Sequence, residues 1–220
     1  PPFARTHLDT YLNCLSVEIW AEYTALSDVF FELDVDAPCM VELWNVTDTD
    51  QAEIVAAGRL DPTNGVIELP RHRSLRGIVG ARLQAFDQPV TVTGGRWTTT
   101  AAPVRDVRLG VGMTTFNRQE YVQRNVDLLA AYAARHPDHL ADVKIQIVDN
   151  ASNLALRTPD RFDVRVLPNR NLGGAGGFAR NLMEYRAEGW ATHVLFMDDD
   201  ISVLPSTIDR TKVFLGYASD

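Results

Sequence analysis

In residues 29–36 every second side chain is apolar, and most of the side chains between them are acidic. A period of two is typical of a β-strand with one buried face. Similar short runs, separated by turns rich in proline and glycine, recur at 41–46, 66–69, 78–86 and 90–97. Short strands at this spacing predict an all-β module over residues 1–104, an antiparallel sandwich or jelly roll.

From residue 105 onward, the pattern changes to strands that alternate with helices. Apolar runs at 107–113, 143–148, 162–167 and 194–197 predict four strands, the last of them buried on both faces. Apolar residues at helical spacing predict helices over 118–136 and 175–188. This alternation indicates an α/β, Rossmann-like domain over residues 105–220, with a mostly parallel sheet and right-handed crossovers.

Three aromatic residues, Tyr11, Trp20 and Tyr23, lie in the segment 8–26, whose pattern is less regular. Such rings either pack into a core or line a surface on which sugars stack. Because aromatic side chains dominate core burial, we expect core packing for each of the three. Residues 1–104 contain no catalytic constellation, which indicates a binding or assembly module.

The composition is that of an ordinary globular protein, with 45% hydrophobic and 23% charged residues in a chain of 220. The net charge of −8 argues against a nucleic-acid-binding protein, which normally carries a basic patch. The sequence has no membrane-spanning run or signal peptide, and Cys14 and Cys39 fit no metal or disulfide pattern, so we expect a cytoplasmic protein. Because the chain opens without an initiator Met and stops soon after an apparent helix, we expect it to be part of a longer protein.

Three consecutive carboxylates, Asp198, Asp199 and Asp200, follow the predicted strand at 194–197. Adjacent carboxylates repel one another and therefore need a positive partner. A hard divalent cation prefers oxygen ligands of this kind. In an open parallel sheet, ligands bind beyond the carboxyl ends of the strands, which is where the triplet lies. The alternative is an exposed acidic loop.

The first two strands of this domain also end in polar residues. The segment 114–118, Thr-Thr-Phe-Asn-Arg, offers hydroxyls, an amide, an aromatic ring and a guanidinium, which suit a base and its phosphates. The alternative is an ordinary turn in which Thr115 or Asn117 caps the next helix. Asp149, after the second strand, is suited either to accept a hydrogen bond from a base N–H or to form an Asp-Asn turn.

Residues 169–180 contain four glycines at the predicted start of a helix. Glycine lowers helix propensity but suits a place where a ligand approaches the main chain, and a helix N-terminus favours phosphate. Arg180, farther along, is placed to meet phosphate or one of the carboxylates. The stretch 174–179 also fits the dinucleotide fingerprint G-x-G-x-x-A. A nicotinamide enzyme is less favoured, because this stretch follows the third strand and leads to the aspartate triplet.

The motifs at these strand ends together resemble family 2 glycosyltransferases of the GT-A fold. They are Thr-Phe-Asn-Arg at 115–118, Val-Asp-Asn at 148–150, Asn-Leu-Gly-Gly at 171–174 and Asp-Asp-Asp at 198–200. More narrowly, the residues at 171–178 and 196–201 are similar to those of the actinobacterial galactofuranosyltransferases. That family carries a β-sandwich before its GT-A domain. The resemblance spans nearly the whole chain, and it implies that 105–220 is the nucleotide-sugar-binding part of a GT-A domain truncated at its C-terminus.

The resemblance also implies a role for each motif residue. The nucleotide-sugar site would consist of Thr115, Phe116, Asn117, Arg118, Asp149, Asn171, Gly173, Gly174, Asp198 and Asp199. The metal site, for Mn²⁺ or Mg²⁺, would consist of Asp198 and Asp200. The family's catalytic base, a later Asp, is expected beyond residue 220, so no catalytic residue is assigned.

The function that the resemblance implies is an inverting, metal-dependent transfer of galactofuranose from UDP-galactofuranose to a growing cell-wall glycan. The expected acceptor is a glycan or a lipid-linked glycan. A lipid-linked acceptor implies peripheral association of a cytoplasmic protein with the inner face of the plasma membrane. The full-length protein is a candidate homo-oligomer. Since the base is missing, we expect this chain to bind UDP-sugar and to transfer little or none. Two alternatives stay open: a family 2 transferase with another nucleotide-sugar donor, and a non-catalytic carbohydrate-binding or assembly module.

Overall fold

The computed structural model describes residues 3–49, 51–158 and 163–219. The chain divides into two compact units, one formed by Pro1–Val104 with Tyr217–Asp220 and the other by Arg105–Gly216. Each unit has its own hydrophobic core. Within the described ranges, every helix is too short or too polar to cross a membrane.

The first unit is built from two antiparallel sheets and a short helix. Its elements are β1 (Arg5–Leu8), α1 (Val17–Tyr23), β2 (Phe30–Val35), β3 (Cys39–Val46), β4 (Ala52–Leu60), β5 (Val66–Glu68), β6 (Ile78–Ala85) and β7 (Val92–Thr98). One sheet has the strand order β1-β6-β3-β4 and the other β5-β2-β7. Buried side chains of both sheets, among them Phe31 and Val41, belong to one core. The antiparallel β structure predicted from the alternation is confirmed.

Two strands and two aromatic positions differ from the sequence-based expectations. The alternation does not predict β1 or β4, because the residues of β4 do not alternate between buried and exposed. Core packing is wrong for Tyr11 and Tyr23, which are 95% and 53% exposed. Tyr11 lies in a turn and Tyr23 ends α1, so the strand side chains fill the core without them. Trp20 does pack against that core.

The second unit alternates strands and helices as predicted. Its elements are β8 (Leu109–Thr115), α2 (Gln119–Arg135), β9 (Val143–Asp149), β10 (Val164–Pro168), α3 (Gly173–Glu188), β11 (His193–Asp198) and α4 (Pro205–Tyr217). The four strands are parallel in the order β10-β9-β8-β11. The predicted start of the third strand at Phe162 lies outside the described residues.

The two faces of the central strand β8 differ in side-chain size, and a different helix packs on each of them. Val111 and Met113 are fully buried in the same core as the apolar residues of α2, which are Val122, Val126 and Leu129. The alternate residues of β8 are small, and α3 approaches them closely. A Cβ atom at Gly110 would lie 2.7 Å from the ring of Tyr185, and one at Gly112 would lie 3.1 Å from Asn181. The absence of side chains at these two glycines of β8 therefore allows α3 to pack closely against the sheet.

The apolar run before the aspartate triplet predicts a strand that is buried on both faces, and this prediction is wrong. Among the described strands, β11 pairs with β8 alone and forms an edge of the sheet. Met197 is buried, whereas Phe196 is 46% exposed and contacts Phe178 of α3 with ring centroids 5.1 Å apart. The apolar run therefore belongs to a partly covered edge strand and not to a central one.

Candidate functional site

The strand order of the second unit creates a switch point between β8 and β11. The chain proceeds from β8 to β9 and β10 in one direction, and then returns to the other side of β8 to form β11. In open parallel sheets, ligands bind at the carboxyl ends of the strands beside such a reversal. The loop at 115–118 and the triplet at 198–200 are the segments that flank this point. The pairing of β8 with β11 thereby brings these two motifs together, although Thr115 and Asp199 are separated by 84 residues in sequence.

The three aspartates of the triplet are not equivalent. Asp199 is 8% exposed, and its carboxylate accepts a hydrogen bond of 2.7 Å from the hydroxyl of Thr115. The side-chain amide of the buried Asn125 donates to the backbone carbonyl of Asp199 at 3.1 Å. Asp198 and Asp200 are exposed on either side of it. The middle carboxylate thus fixes the loop, and the outer two face outward.

Arg118 supplies the positive charge that three carboxylates require. Its guanidinium donates a hydrogen bond to the carboxylate of Asp200 and lies 3.6 Å from the nearest oxygen of Asp199. These contacts, the bond to Asp200 first, raise the pKa of Arg118 above its usual value. Arg180, in contrast, pairs with Glu184 of its own helix at 2.6 Å and not with the triplet.

The other residues of the first loop are exposed. Half of Phe116 is accessible to solvent. Asn117 has a positive φ of 56° and accepts a hydrogen bond of 2.8 Å from the amide of Asn153. Neither Thr115 nor Asn117 caps α2, because Arg118 is the residue before the helix and makes no side-chain capping bond. The helix-capping alternative for this loop is therefore wrong.

Asp149, at the end of β9, is buried and has both carboxylate oxygens in use. They accept backbone N–H bonds from Ala151 at 2.9 Å and Leu154 at 2.7 Å. Its geometry is that of the Asp-Asn turn that the sequence allows. Contact between Asp149 and a base stays a prediction.

Asn150 connects three loops at the carboxyl edge of the sheet. Its backbone N–H donates to the carbonyl of Thr115 at 2.9 Å, and its side-chain amide donates to the carbonyl of Gly173 at 3.2 Å. Its side-chain oxygen accepts from the amide of Asn169 at 2.8 Å. Asn171 adds a bond of 3.0 Å from the backbone N–H of Gly173 to its own side-chain oxygen. The ends of β8, β9 and β10 and the start of α3 are thus held together.

Three of the four glycines at the start of α3 are required by the fold itself. Gly173 has a φ of +70°, a conformation that glycine adopts without strain. A Cβ atom at Gly176 would lie 2.4 Å from Leu172, and one at Gly177 would lie 2.1 Å from Thr114. Gly174 differs, because a Cβ atom there meets nothing within 4 Å. Its open surroundings suit the close approach of a ligand to the helix N-terminus.

The outer carboxylates fit a metal ion that is shared with a bound phosphate. The described part of the chain contains no group of three or more His, Cys, Asp or Glu residues that would enclose an ion. Mg²⁺ in phosphate-transfer sites is usually held by one or two carboxylates together with phosphate oxygens and water. Asp198 and Asp200, both exposed, supply two such carboxylates.

Asn125 and Asn150 are structural members of the site that the motif-based interpretation does not include. Asn125 is fully buried on the apolar side of α2, beside Val122 and Val126. A polar residue at a core position of an amphipathic helix is the signal that marks it, since buried amides are normally hydrogen-bonded. Asn150 carries no comparable signal, because an asparagine after a strand is typical of any turn.

No protein-family model matches the chain. Two curated relatives are similar along its length: galactofuranosyltransferase GlfT2 of Mycolicibacterium smegmatis, 25% identical over 99% of this chain, and GlfT2 of Mycobacterium tuberculosis, 26% identical over 95%. The chain spans about a third of their length, 35% and 34%.

Solved structures are similar only at a low level. A glycosylation-associated protein complex (Gap123) from Streptococcus agalactiae matches with 10% identity and a TM-score of 0.26, over 78% of this chain and 70% of that one. The iron-containing dodecameric glycosyltransferase TibC of enterotoxigenic E. coli matches with 11% identity and a TM-score of 0.17, over 66% and 40%. Scores this low do not establish a common fold.

Proposed function

We propose that the chain is part of a glycosyltransferase and that its second unit binds the nucleotide-sugar donor. The observation that carries this proposal is the switch point of the parallel sheet, where Asp198, Asp200 and Arg118 lie at the same carboxyl edge as the open helix N-terminus at Gly174. Exposed carboxylates, a guanidinium and free main-chain N–H groups are the groups that a metal-bound diphosphate needs. The similarity to two galactofuranosyltransferases over nearly all of this chain supports the same assignment.

The finer proposal is a family 2 transferase of the GT-A fold, preceded by a β-sandwich. The donor would be UDP-galactofuranose, the ion Mn²⁺ or Mg²⁺, and the acceptor a glycan or lipid-linked glycan. When bound, the ion supplies Lewis-acid stabilisation of the charge that develops on the UDP leaving group. The acceptor hydroxyl would then displace UDP with inversion at the anomeric carbon.

Each residue of the site would contribute by binding or by positioning. Phe116 presents an exposed ring to the uracil, and the N-terminus of α3 presents N–H groups to the diphosphate. Thr115 and Asn125 hold Asp199, and this fixes Asp198 and Asp200 on either side of it. Asn171 and Gly173, joined by a hydrogen bond, shape the loop in front of the sugar. A general base is not assigned among these residues.

The first experiment is calorimetric titration of the chain with UDP, with Mn²⁺ and then with a chelator. We expect binding that requires Mn²⁺ and that is lost in Asp200→Ala. The matched control is Asp106→Ala, which removes an equally charged, exposed residue before β8, at the opposite end of the strand. UDP binding that survives Asp200→Ala, or no UDP binding with Mn²⁺ present, would contradict the proposal.

The identity of the donor needs a separate measurement. UDP-galactofuranose, UDP-galactopyranose, UDP-glucose and a dTDP sugar would compete for the UDP site on the full-length protein. We expect UDP-galactofuranose to bind most tightly. A nicotinamide dinucleotide in the same panel tests the dinucleotide alternative, which we expect to show no fluorescence change on mixing.

A second candidate function, glycan binding by the first unit, is favoured by the outer face of its four-stranded sheet. Trp44 lies there with the guanidinium of Arg82 3.9 Å from its ring centre, and its indole N–H donates to Glu42 at 3.0 Å. Arg5, His7 and Gln84 line the same shallow depression. An aromatic ring among planar hydrogen-bonding groups suits a sugar. Retardation in polysaccharide gels that Trp44→Ala abolishes, and that Tyr11→Ala leaves unchanged, would support this role.

A further inference from the structure

The contact between Arg118 and Asp200 occupies one of the two carboxylates that are assigned to the metal. The guanidinium donates directly to an oxygen of Asp200 and lies 3.6 Å from Asp199. A carboxylate that is neutralised by a guanidinium attracts a divalent ion less strongly, because the positive charges repel at short range. Arg118 and the ion therefore compete for the same group.

Arg118 is also free to leave this contact. It lies in the loop between β8 and α2, immediately before the helix begins. Its side chain is 47% exposed, and that of Asp200 is 48% exposed. An ion pair accessible to water contributes little net stability, so exchanging its partner costs little. A diphosphate offers a guanidinium a bidentate partner of higher charge.

We propose that Arg118 is an exchangeable counter-ion of Asp200: it pairs with this carboxylate in the free protein and moves to the donor diphosphate when metal and nucleotide bind together. This inference rests on the proposed function of the site. Asp200 is released to the ion in the same step, so the charges remain balanced before and after binding. The arginine thereby makes the ion and the nucleotide depend on each other.

The exchange has a thermodynamic consequence that does not require turnover. If the nucleotide draws Arg118 away from Asp200, the nucleotide increases the affinity for the ion, and the ion must increase the affinity for the nucleotide by the same factor. Without Arg118 the ion alone meets a free carboxylate, whereas the diphosphate loses a partner. Removing one side chain therefore has opposite effects on the two ligands.

The test measures the Mn²⁺ affinity by the electron paramagnetic resonance signal of free Mn²⁺, and the UDP affinity by calorimetry, in the wild type and in Arg118→Met. We expect Arg118→Met to bind Mn²⁺ alone about three- to fivefold more tightly, the range for an exposed ion pair. We expect it to bind UDP in the presence of Mn²⁺ about tenfold more weakly, the lower end of the range for a lost charge-assisted bond. Arg118→Lys keeps the charge but not the planar, two-pronged guanidinium. Its affinities for Mn²⁺ and for UDP should therefore lie between those of the wild type and those of Arg118→Met.

Arg124→Met is the matched control. Arg124 lies in the second turn of α2, the helix that Arg118 precedes, and both guanidiniums approach the ring of Tyr121, at 6.0 Å for Arg118 and 5.4 Å for Arg124. Arg124, however, donates to the backbone carbonyl of Ile201 and not to a carboxylate. If Arg124→Met tightens Mn²⁺ binding as much as Arg118→Met, the effect is one of general charge and the exchange is refuted. Weaker Mn²⁺ binding by Arg118→Met alone also refutes it. If the wild type binds UDP with Mn²⁺ and neither variant changes the Mn²⁺ affinity, the exchange fails while the proposed function stands. If the wild type binds neither ligand, both fail.

Discussion

Gly174 and Gly177 lie three residues apart on α3, yet an added methyl group would meet very different surroundings at the two positions. At Gly177 it would lie 2.1 Å from Thr114 of β8, and at Gly174 it would contact nothing within 4 Å. Gly174 also has no positive φ. The fold therefore does not require a glycine at this position, which leaves the proposed approach of a ligand to the main chain as the reason to be tested.

This difference predicts opposite effects of alanine on stability. Gly177→Ala should lower the free energy of unfolding by about 1–3 kcal/mol, because it overpacks a tight helix–sheet contact. Gly174→Ala should raise it by about 0.5 kcal/mol, because alanine loses less backbone entropy in a helix. The same Gly174→Ala should weaken UDP binding about tenfold, because the added methyl group keeps the diphosphate from one main-chain N–H; tenfold is the lower end of the range for a charge-assisted bond. Urea unfolding and calorimetry measure both quantities. A Gly174→Ala protein that binds UDP normally would show that this glycine does not face the donor.

At the scale of elements, Asp28 joins the end of β7 to the start of β2. Its carboxylate accepts hydrogen bonds from the backbone N–H of Thr100 at 2.7 Å and the hydroxyl of Thr99 at 2.8 Å, and also from the hydroxyl of Thr100. The bonds from Thr100, first among these causes, lower the pKa of Asp28 from 3.8 to about 2. A group whose pKa is lower in the folded state stabilises the fold above its unfolded pKa. That stabilisation is lost as the pH falls from 3.8 to about 2.

We therefore expect Asp28→Asn to unfold at lower urea concentration than the wild type at neutral pH. The difference between the two proteins should shrink as the pH is lowered from 3.8 to about 2, where the wild-type carboxylate is also becoming protonated. Asp87→Asn, which changes an exposed aspartate in the loop after β6, serves as control and should show no such convergence. A difference that stays constant over this range would mean that packing, not the charge of Asp28, accounts for the effect.

The elements that the sequence predicts best are those whose side chains keep one period. The apolar residues of α2 and the two-residue alternation of β2 each have one buried face, so pattern and structure agree. β4 has no such pattern, since its burial is irregular and its register with β3 shifts between Leu43 and Trp44. β11 has the apolar run of a central strand but lies at an edge of the sheet. Periodicity shows which residues are apolar together, and only the pairing of strands shows what covers them.

At the scale of the whole molecule, the site depends on strand order, which local sequence does not contain. The motif positions at 115–118 and 198–200 are predictable because polar residues follow apolar strands. The bond between Thr115 and Asp199 is not predictable in this way, because it requires β8 and β11 to be neighbours although they are distant in sequence. The same holds for the contact of Arg118 with Asp200 and for the bond from Asn125 to the carbonyl of Asp199, although the core position of Asn125 on α2 is itself visible in the sequence. Sequence patterns therefore indicated the groups that we propose bind the ligand, whereas the groups that position them needed the structure.

The two units have separate cores, and the tryptophans are divided between them in a way that makes a final prediction testable. Trp20, Trp44 and Trp97 belong to the first unit, and Trp190 alone to the second, where Lys144 lies 4.4 Å from its ring. A ligand stabilises only the state that binds it, by about 2.7 kcal/mol at a hundredfold excess over its dissociation constant.

UDP with Mn²⁺ should therefore shift the part of the wild-type fluorescence transition in urea that Trp190 reports. In Trp190→Phe, fluorescence reports the first unit only, and its transition should not move. Trp190→Phe must still bind UDP with Mn²⁺ in calorimetry, which separates loss of the reporter from loss of the site. A ligand-dependent shift in Trp190→Phe would mean that the first unit either binds the nucleotide or unfolds together with the second. With polysaccharide in place of UDP, the opposite result is expected. A glycan bound at Trp44 would stabilise the first unit and shift its transition to higher urea concentration, while the transition that Trp190 reports would not move.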